Sequence, residues 1–185
     1  MTTHPQSQSA DAAADIAVVL RPPRYDDVAH YATYLADPNV TRWLEDRCQR
    51  PVLFHQAHAF VLGEAWCRFA IEYEGRFVGM VGLDDYDPVN ATARFFIVVG
   101  DRSAWNKGVG TAVARRMLSY GFNILGLRRI SSNYLAENEA SRIIHARAGF
   151  EIEGRQRQIA WRYGQWVDQV LLAVLHDEWQ THHPG

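Results

Sequence analysis

The 185-residue sequence predicts an α/β fold, a mixed sheet of about seven strands with helices on both faces. Three observations lead there. Apolar residues make up 48% of the chain and charged residues 22%, an ordinary globular balance for one domain able to bury a core. Strands lead, and the chain then runs strand, helix, strand, helix, strand, strand. Two tight turns, Glu74-Gly75 and RYGQ at 162–165, join neighbouring strand runs as hairpins.

Residues 1–15 lack the basic-then-apolar order of a signal peptide and read as a disordered tail, with the ordered domain expected over 16–180 and a frayed end at 181–185. IAVVLRP (16–22) is a short strand stopped by Pro22-Pro23. RYDDVAHYATYLAD (24–37) places Val28, Tyr31, Tyr34 and Leu35 at helical spacing, with Asp26 or Asp27 near its start. PNVTRWLEDRCQRP is a polar connection, and VLFHQAHAFVLGEAW (52–66) a second helix. CRFAIEYE and RFVGMVGLDDY form the first hairpin, and DPVN turns the chain into ATARFFIVVG (91–100). A glycine loop, RSAWNKGVGT, leads to a helix over 111–124. RRISSNYLA is a strand, NEASRIIHARAG a helix, FEIEGRQRQIAW a strand and WVDQVLLAVLH the last strand.

A net charge of -2 argues against a bulk nucleic-acid binder. Lys107 is the only lysine among the basic residues, and it falls inside the glycine loop. Cys48 and Cys67 form no C-x-x-C pair, which fits a reduced setting, and no apolar run approaches the roughly 20 residues of a membrane span. A cytoplasmic protein with no membrane partner is expected. His55 and His58 have i, i+3 spacing but no evident third ligand, so no metal is expected.

The glycine loop fails two phosphate-binding patterns. G-x-x-x-x-G-K-[ST] fails because Trp105 lies five residues after Gly100 and Lys107 precedes its glycine. G-x-G-x-x-G fails because Val113 takes the third glycine's place after Gly108 and Gly110. What remains is G-x-G directly before a helix, where backbone can approach a ligand and unpaired N–H groups suit a pyrophosphate. Taken alone, the loop reads equally as a plain strand-to-helix turn.

Three segments in order change that balance: GDRSAWNKGVGTAVARRMLSYGFNILGL, AENEASRIIHARAGFEIEGR and RYGQWVDQVLLAVLHDEW. Together they resemble the GNAT N-acetyltransferases over about residues 18–179, closest to the RimJ/RimL-like and spermidine acetyltransferase branch. The resemblance implies a mostly antiparallel GNAT sheet and acetyl-CoA as co-substrate. It also implies that the strand before the loop carries a bulge, splays from the next strand and pairs with the pantetheine arm through Ile97, Val98 and Val99. The loop role then falls on Trp105, Asn106, Lys107, Gly108, Val109 and Gly110, with Thr111 beginning the helix. Trp105 stands where the family usually has Gln or Arg. Arg102 and Lys107 are either phosphate contacts or solvated cations.

Asn138 matches the family's pantetheine asparagine and also suits a helix N-cap. Asn138, Ser141 and His145 share one helix face. His145 stands where many members have a tyrosine that protonates the CoA thiolate, and an imidazole with an ordinary pKa near 6.5 can serve as general acid or as a neutral contact. Many relatives have a glutamate base near position 94, and Arg94 cannot act as one. Asp84, Asp85, Glu45, Asp46 or water must then take the amine's proton. His145, Ser141 and Asp84 are the expected catalytic set.

The implied reaction is direct attack of a primary amine on the thioester, polarised by main-chain amides at 98–99, with no covalent nucleophile. The acceptor is a polyamine, an amino-sugar nucleotide or a protein N-terminus, met by Trp43, Glu45, Asp46, Asp85 and Trp161, with Tyr163 and Trp166 nearby. The alternative is a degenerate acetyltransferase that holds CoA as a sensor or scaffold. Relatives often dimerise, and the sequence leaves a homodimer open.

Overall fold

The computed structural model describes residues 16–44 and 54–182. The expected tail at 1–15, Glu45, Asp46 and Cys48 in the polar connection, and His183 lie outside the described residues.

Seven strands form one sheet: β1 (Val18–Arg21), β2 (Cys67–Tyr73), β3 (Arg76–Asp87), β4 (Thr92–Val99), β5 (Arg129–Leu135), β6 (Glu151–Arg162) and β7 (Gln165–Leu175). Their order is β1-β2-β3-β4-β5-β7-β6. Every pairing is antiparallel except β4 with β5. The Glu74-Gly75 hairpin has φ of 52° and 72°, the two positive values a type I′ turn requires.

Period-two alternation along β2 and β3 splits the core. Ile71 and Val81 face one layer, which holds helix α4 (Val109–Ser119) together with Ala148 of α5 (Glu139–Ala148). Ala70 and Met80 face the other, against α1 (Tyr25–Ala36) and α3 (Phe54–Leu62). Helices therefore cover both faces, as the element order predicts. None of the described helices is long and apolar enough to cross a membrane.

Several boundaries depart from the sequence reading. The polar connection begins with one helical turn, α2 (Pro38–Thr41), because Pro38 starts it and Asp37 caps Asn39 N–H. The second helix is shorter than 52–66, ending at Leu62 before Gly63. The helix after the loop starts at Val109 rather than Thr111 and gives way to a π turn over Tyr120–Ile124. β7 stops at Leu175, and a helix absent from the sequence reading, α6 (His176–His182), follows. Trp179 anchors α6 in the core against Phe122, and Glu178 accepts the Leu175 N–H at 2.9 Å.

At the far end of the sheet, away from the main cleft, Asp27 is buried in the first turn of α1. It accepts two hydrogen bonds from Arg21, at 2.7 and 2.8 Å, and one from Arg24 N–H at 2.7 Å. Burial pushes its carboxyl up, but the Arg21 hydrogen bonds and the Arg24 amide more than offset this and hold it below the ordinary value.

Candidate active site

β4 pairs with β3 along most of its length but with β5 only at Thr92, Ala93 and Arg94. Beyond Arg94 the two strands part. The family resemblance implies this splay and also a bulge on the same strand. The bulge lies instead on β3, where Asp85 and Tyr86 together oppose Ala93, and Asp85 takes a φ of 53°.

The direction of the β4 backbone beyond the split follows from its neighbours. Gly100 N–H bonds Val78 O on the β3 side at 2.8 Å. Phe95 O and Val99 O are met from the opposite side, by Ser132 Oγ at 3.1 Å and the Trp105 indole N–H at 2.7 Å. Alternation then turns the N–H and C=O of Ile97 into the gap and those of Val98 back toward β3. The expectation of polarising amides at both 98 and 99 is corrected accordingly: Val98 turns its N–H and C=O toward β3 and packs on the face of α1 and α3, and the odd-numbered residues supply the main-chain groups.

A cleft of about 1200 Å³ passes through this gap. Ile97, Val98, Asn138, Ser141, His145, Asp84, Asp85 and Trp43 line it, so the split gathers residues from four of the predicted segments. Trp161 does not line it. Ala160 and Arg162 face inward, and alternation leaves the Trp161 side chain 54% exposed, edge-on to Trp166 at 5.2 Å. The structure thus does not bring Trp161 together with the other expected acceptor residues.

The glycine loop lies just beyond β4. Asp101 caps a short 3-10 turn (Arg102–Ala104) by accepting Ser103 N–H at 2.8 Å. Asn106 and Gly108 have φ of 60° and 78°, and Gly108 is the N-cap of α4. No side chain caps that helix, and the amides of Val109, Gly110 and Thr111 come before its own i to i+4 ladder begins. Gly110 answers to packing: a Cβ there would meet Ile144 Cδ1 of α5 at 2.5 Å. Its lack of a side chain lets α4 approach α5, a reason different from the ligand approach read in the sequence. Thr111 is buried inside the helix. Arg102 lies 3.8 Å from Asp37, and Lys107 lies 5.7 Å from the Tyr73 ring centroid; neither lines the cleft.

Asn138 caps α5 through Oδ1, which accepts Ser141 N–H at 3.1 Å. His145, only 2% exposed, has one ring nitrogen on each of two partners. Nδ1 lies 2.8 Å from the Ser141 carbonyl, an acceptor, so Nδ1 carries the hydrogen. Nε2 lies 2.8 Å from Ser132 Oγ, whose single hydrogen has two acceptors in reach, Nε2 and the Phe95 carbonyl at 3.1 Å. Burial lowers the imidazole pKa, partly opposed by the Ser141 carbonyl hydrogen bond. The resting ring is neutral, with Nε2 as its unprotonated nitrogen, and burial opposes its charging. The acid role expected from the sequence requires it to be charged first.

Ser132, buried between Ile130 and Tyr134 on β5, escaped the sequence reading. Its signal is a polar residue on the inward phase of a strand, which calls for a partner. The two aspartates are each matched by an arginine: Arg68 reaches Asp84 at 3.1 Å, and Arg94 Nε reaches Asp85 at 2.6 Å. Cys67 is buried, which pushes its thiol up to about 11, far from thiolate chemistry. His55 and His58 are exposed on α3.

The acetyltransferase (GNAT) domain family matches residues 17–151. The spermidine N(1)-acetyltransferase of Escherichia coli (strain K12) is 25% identical over 173 residues, 91% of this chain and 92% of that one. YdaF of Bacillus subtilis (strain 168), named for ribosomal N-acetylation, is 32% identical over 108 residues, a match spanning 58% of each chain. The crystal structure of spermidine N-acetyltransferase from Vibrio cholerae, in complex with CoA and spermine, superposes with a TM-score of 0.77 at 21% identity, covering 88% of this chain and 97% of that one.

Proposed function

The chain belongs to the GNAT acetyltransferase family, and from that premise we propose that it transfers acetyl from acetyl-CoA to a primary amine by direct attack in a ternary complex. The parting of β4 from β5 beyond Arg94 carries this reading, because it opens a sheet gap along which the β4 main chain has no strand partner in β5. The Ile97 backbone holds the pantetheine arm, and the uncapped amides at Val109, Gly110 and Thr111 hold the diphosphate. Relatives named for spermidine acetylation, one of them in complex with CoA, support an amine acceptor and a CoA-linked donor.

The attack forms a C–N bond and a tetrahedral oxyanion, which an odd-numbered β4 amide stabilises. The new ammonium loses one proton to Ser132 Oγ as Ser132 passes its own to His145 Nε2. The C–S bond then breaks, and the same pair returns the proton to the CoA thiolate. The buried thiol of Cys67 takes no part.

Release of free thiol from acetyl-CoA over a panel of polyamines, amino-sugar nucleotides, amino acids and peptides tests the reading. At least one amine is expected to give sustained, amine-dependent release. Silence across the panel while acetyl-CoA still binds would overturn it.

A further inference from the structure

The acceptor side of the cleft carries a charge arrangement that a polycation does not match. Among the described residues, the charged side chains lining the cleft, His145 apart, are three carboxylates, Glu64, Asp84 and Asp85, and three guanidiniums, Arg68, Arg94 and Arg162. Asp84 is held by Arg68 and Asp85 by Arg94. A polyamine needs several carboxylates free to meet its ammonium groups, whereas both aspartates already have a cation, which leaves Glu64 as the one cleft carboxylate without an arginine among the described residues.

Arg94 differs from its neighbours. Arg68 spends Nη1 on the Phe60 carbonyl and Nη2 on Asp84. Arg94 is tied only through Nε, and its two Nη groups make no hydrogen bond to any described residue. Its guanidinium is thus steered by Asp85 while the outer fork stays open, on a side chain 36% exposed at the cleft. An anchored fork with two unused N–H edges matches the two oxygens of a carboxylate or phosphate. Arg94 shares its sheet face with Phe96 and Val98, the face packed by α1 and α3. It therefore looks into the cleft from the side opposite α5 and His145.

We propose that Arg94 selects the acceptor, and that the acceptor is a primary amine carrying a carboxylate or phosphate group, which the Arg94 Nη fork binds. This rests on the acetyltransferase reading above and narrows its acceptor class. Asp85 acts as the positioning residue that aims the fork, and Phe96 lies beside it on the same face.

The test compares matched acceptors by thiol release from acetyl-CoA: L-phenylalanine with L-phenylalaninamide, glucosamine 6-phosphate with glucosamine, and spermidine alone. Charge-assisted recognition predicts kcat/KM at least about 10-fold higher for the anionic member of one pair, and the pair that responds identifies carboxylate or phosphate as the source. In Arg94→Gln that ratio should fall to about 2-fold or less, and Arg94→Lys should restore only part of it, having charge without the fork. Acetyl-CoA affinity, read by calorimetry on the same preparations, reports whether the fold and the CoA site survive substitution. Spermidine outperforming both anionic acceptors overturns the proposal and leaves the acetyltransferase reading standing. A ratio that survives in Arg94→Gln, or is absent from both wild-type pairs, also overturns it. No turnover with any acceptor, despite acetyl-CoA binding, overturns both.

Discussion

Two arginine–aspartate pairs in this molecule use the same chemistry to opposite ends. Under α1, Arg21 and Asp27 meet through two hydrogen bonds, with side chains only 12% and 4% exposed. Arg21 Nε goes on to Glu72 at 2.8 Å, and Asp27 takes a further bond from Arg24 N–H. In the cleft, Arg94 and Asp85 share one contact, 36% and 67% exposed, with the rest of the fork unspent. Saturation makes the first pair a clamp that joins β1, β2 and α1. Incompleteness gives the second its capacity for a ligand. His145 lies between these extremes, buried like Asp27 yet lining the same cleft as Arg94.

Breaking the clamp should have the largest effect. Asp27→Ala leaves Arg21 buried beside the helix start without its main partner, and removing one member of a buried pair costs about 3 kcal/mol or more. Chemical denaturation should show that loss, whereas Asp85→Ala, at the exposed pair, should change stability by no more than about 1 kcal/mol. Equal losses at the two sites would erase the distinction.

His145→Phe tests the intermediate case. Its kcat should fall about 100-fold, the lower range for general acid–base catalysis, with little change in acetyl-CoA affinity. Parallel loss in both would reduce the histidine to a ligand contact. Gly110→Asp follows, with acetyl-CoA affinity expected to drop about 10-fold because a negative charge in the first turn of α4 opposes an anion held at that helix start. The accompanying clash with Ile144 Cδ1 involves the end of a flexible side chain, so folding should survive. Undiminished affinity would remove the diphosphate from that helix.

The smallest effect is in pH. The folded protein resists protonating His145, whereas the unfolded chain takes up that proton near the ordinary value of about 6.5. Below that pH the unfolded state binds more protons, so stability falls as pH drops, until the depressed folded value is also passed. Melting temperature followed from pH 7.5 to about 5.5 should decline less steeply in His145→Phe than in wild type. Identical slopes would mean the buried imidazole is not responsible.

Much of the fold was legible because periodicity and turn chemistry are local. The Glu74-Gly75 hairpin, the capping Asn138 and the strand–loop–helix run around Gly108 all follow from neighbours a few residues apart. Helix α6 was missed because Trp179 gains its place only by packing on Phe122. Ser132 was missed because its meaning depends on His145, thirteen residues away on another element. Trp161 was misplaced because one step of strand register turns a side chain from the cleft to solvent.

By itself, then, the order of residues determined the mixed sheet, the helices on both faces and the loop placed between β4 and α4. Tertiary structure alone decided which groups meet: the neutral state of His145, the open fork of Arg94 and the closed one of Arg21. The physical reason is that elements form from short-range backbone preferences. A proton's position or an arginine's free edge depends on partners that only folding brings within about 3 Å.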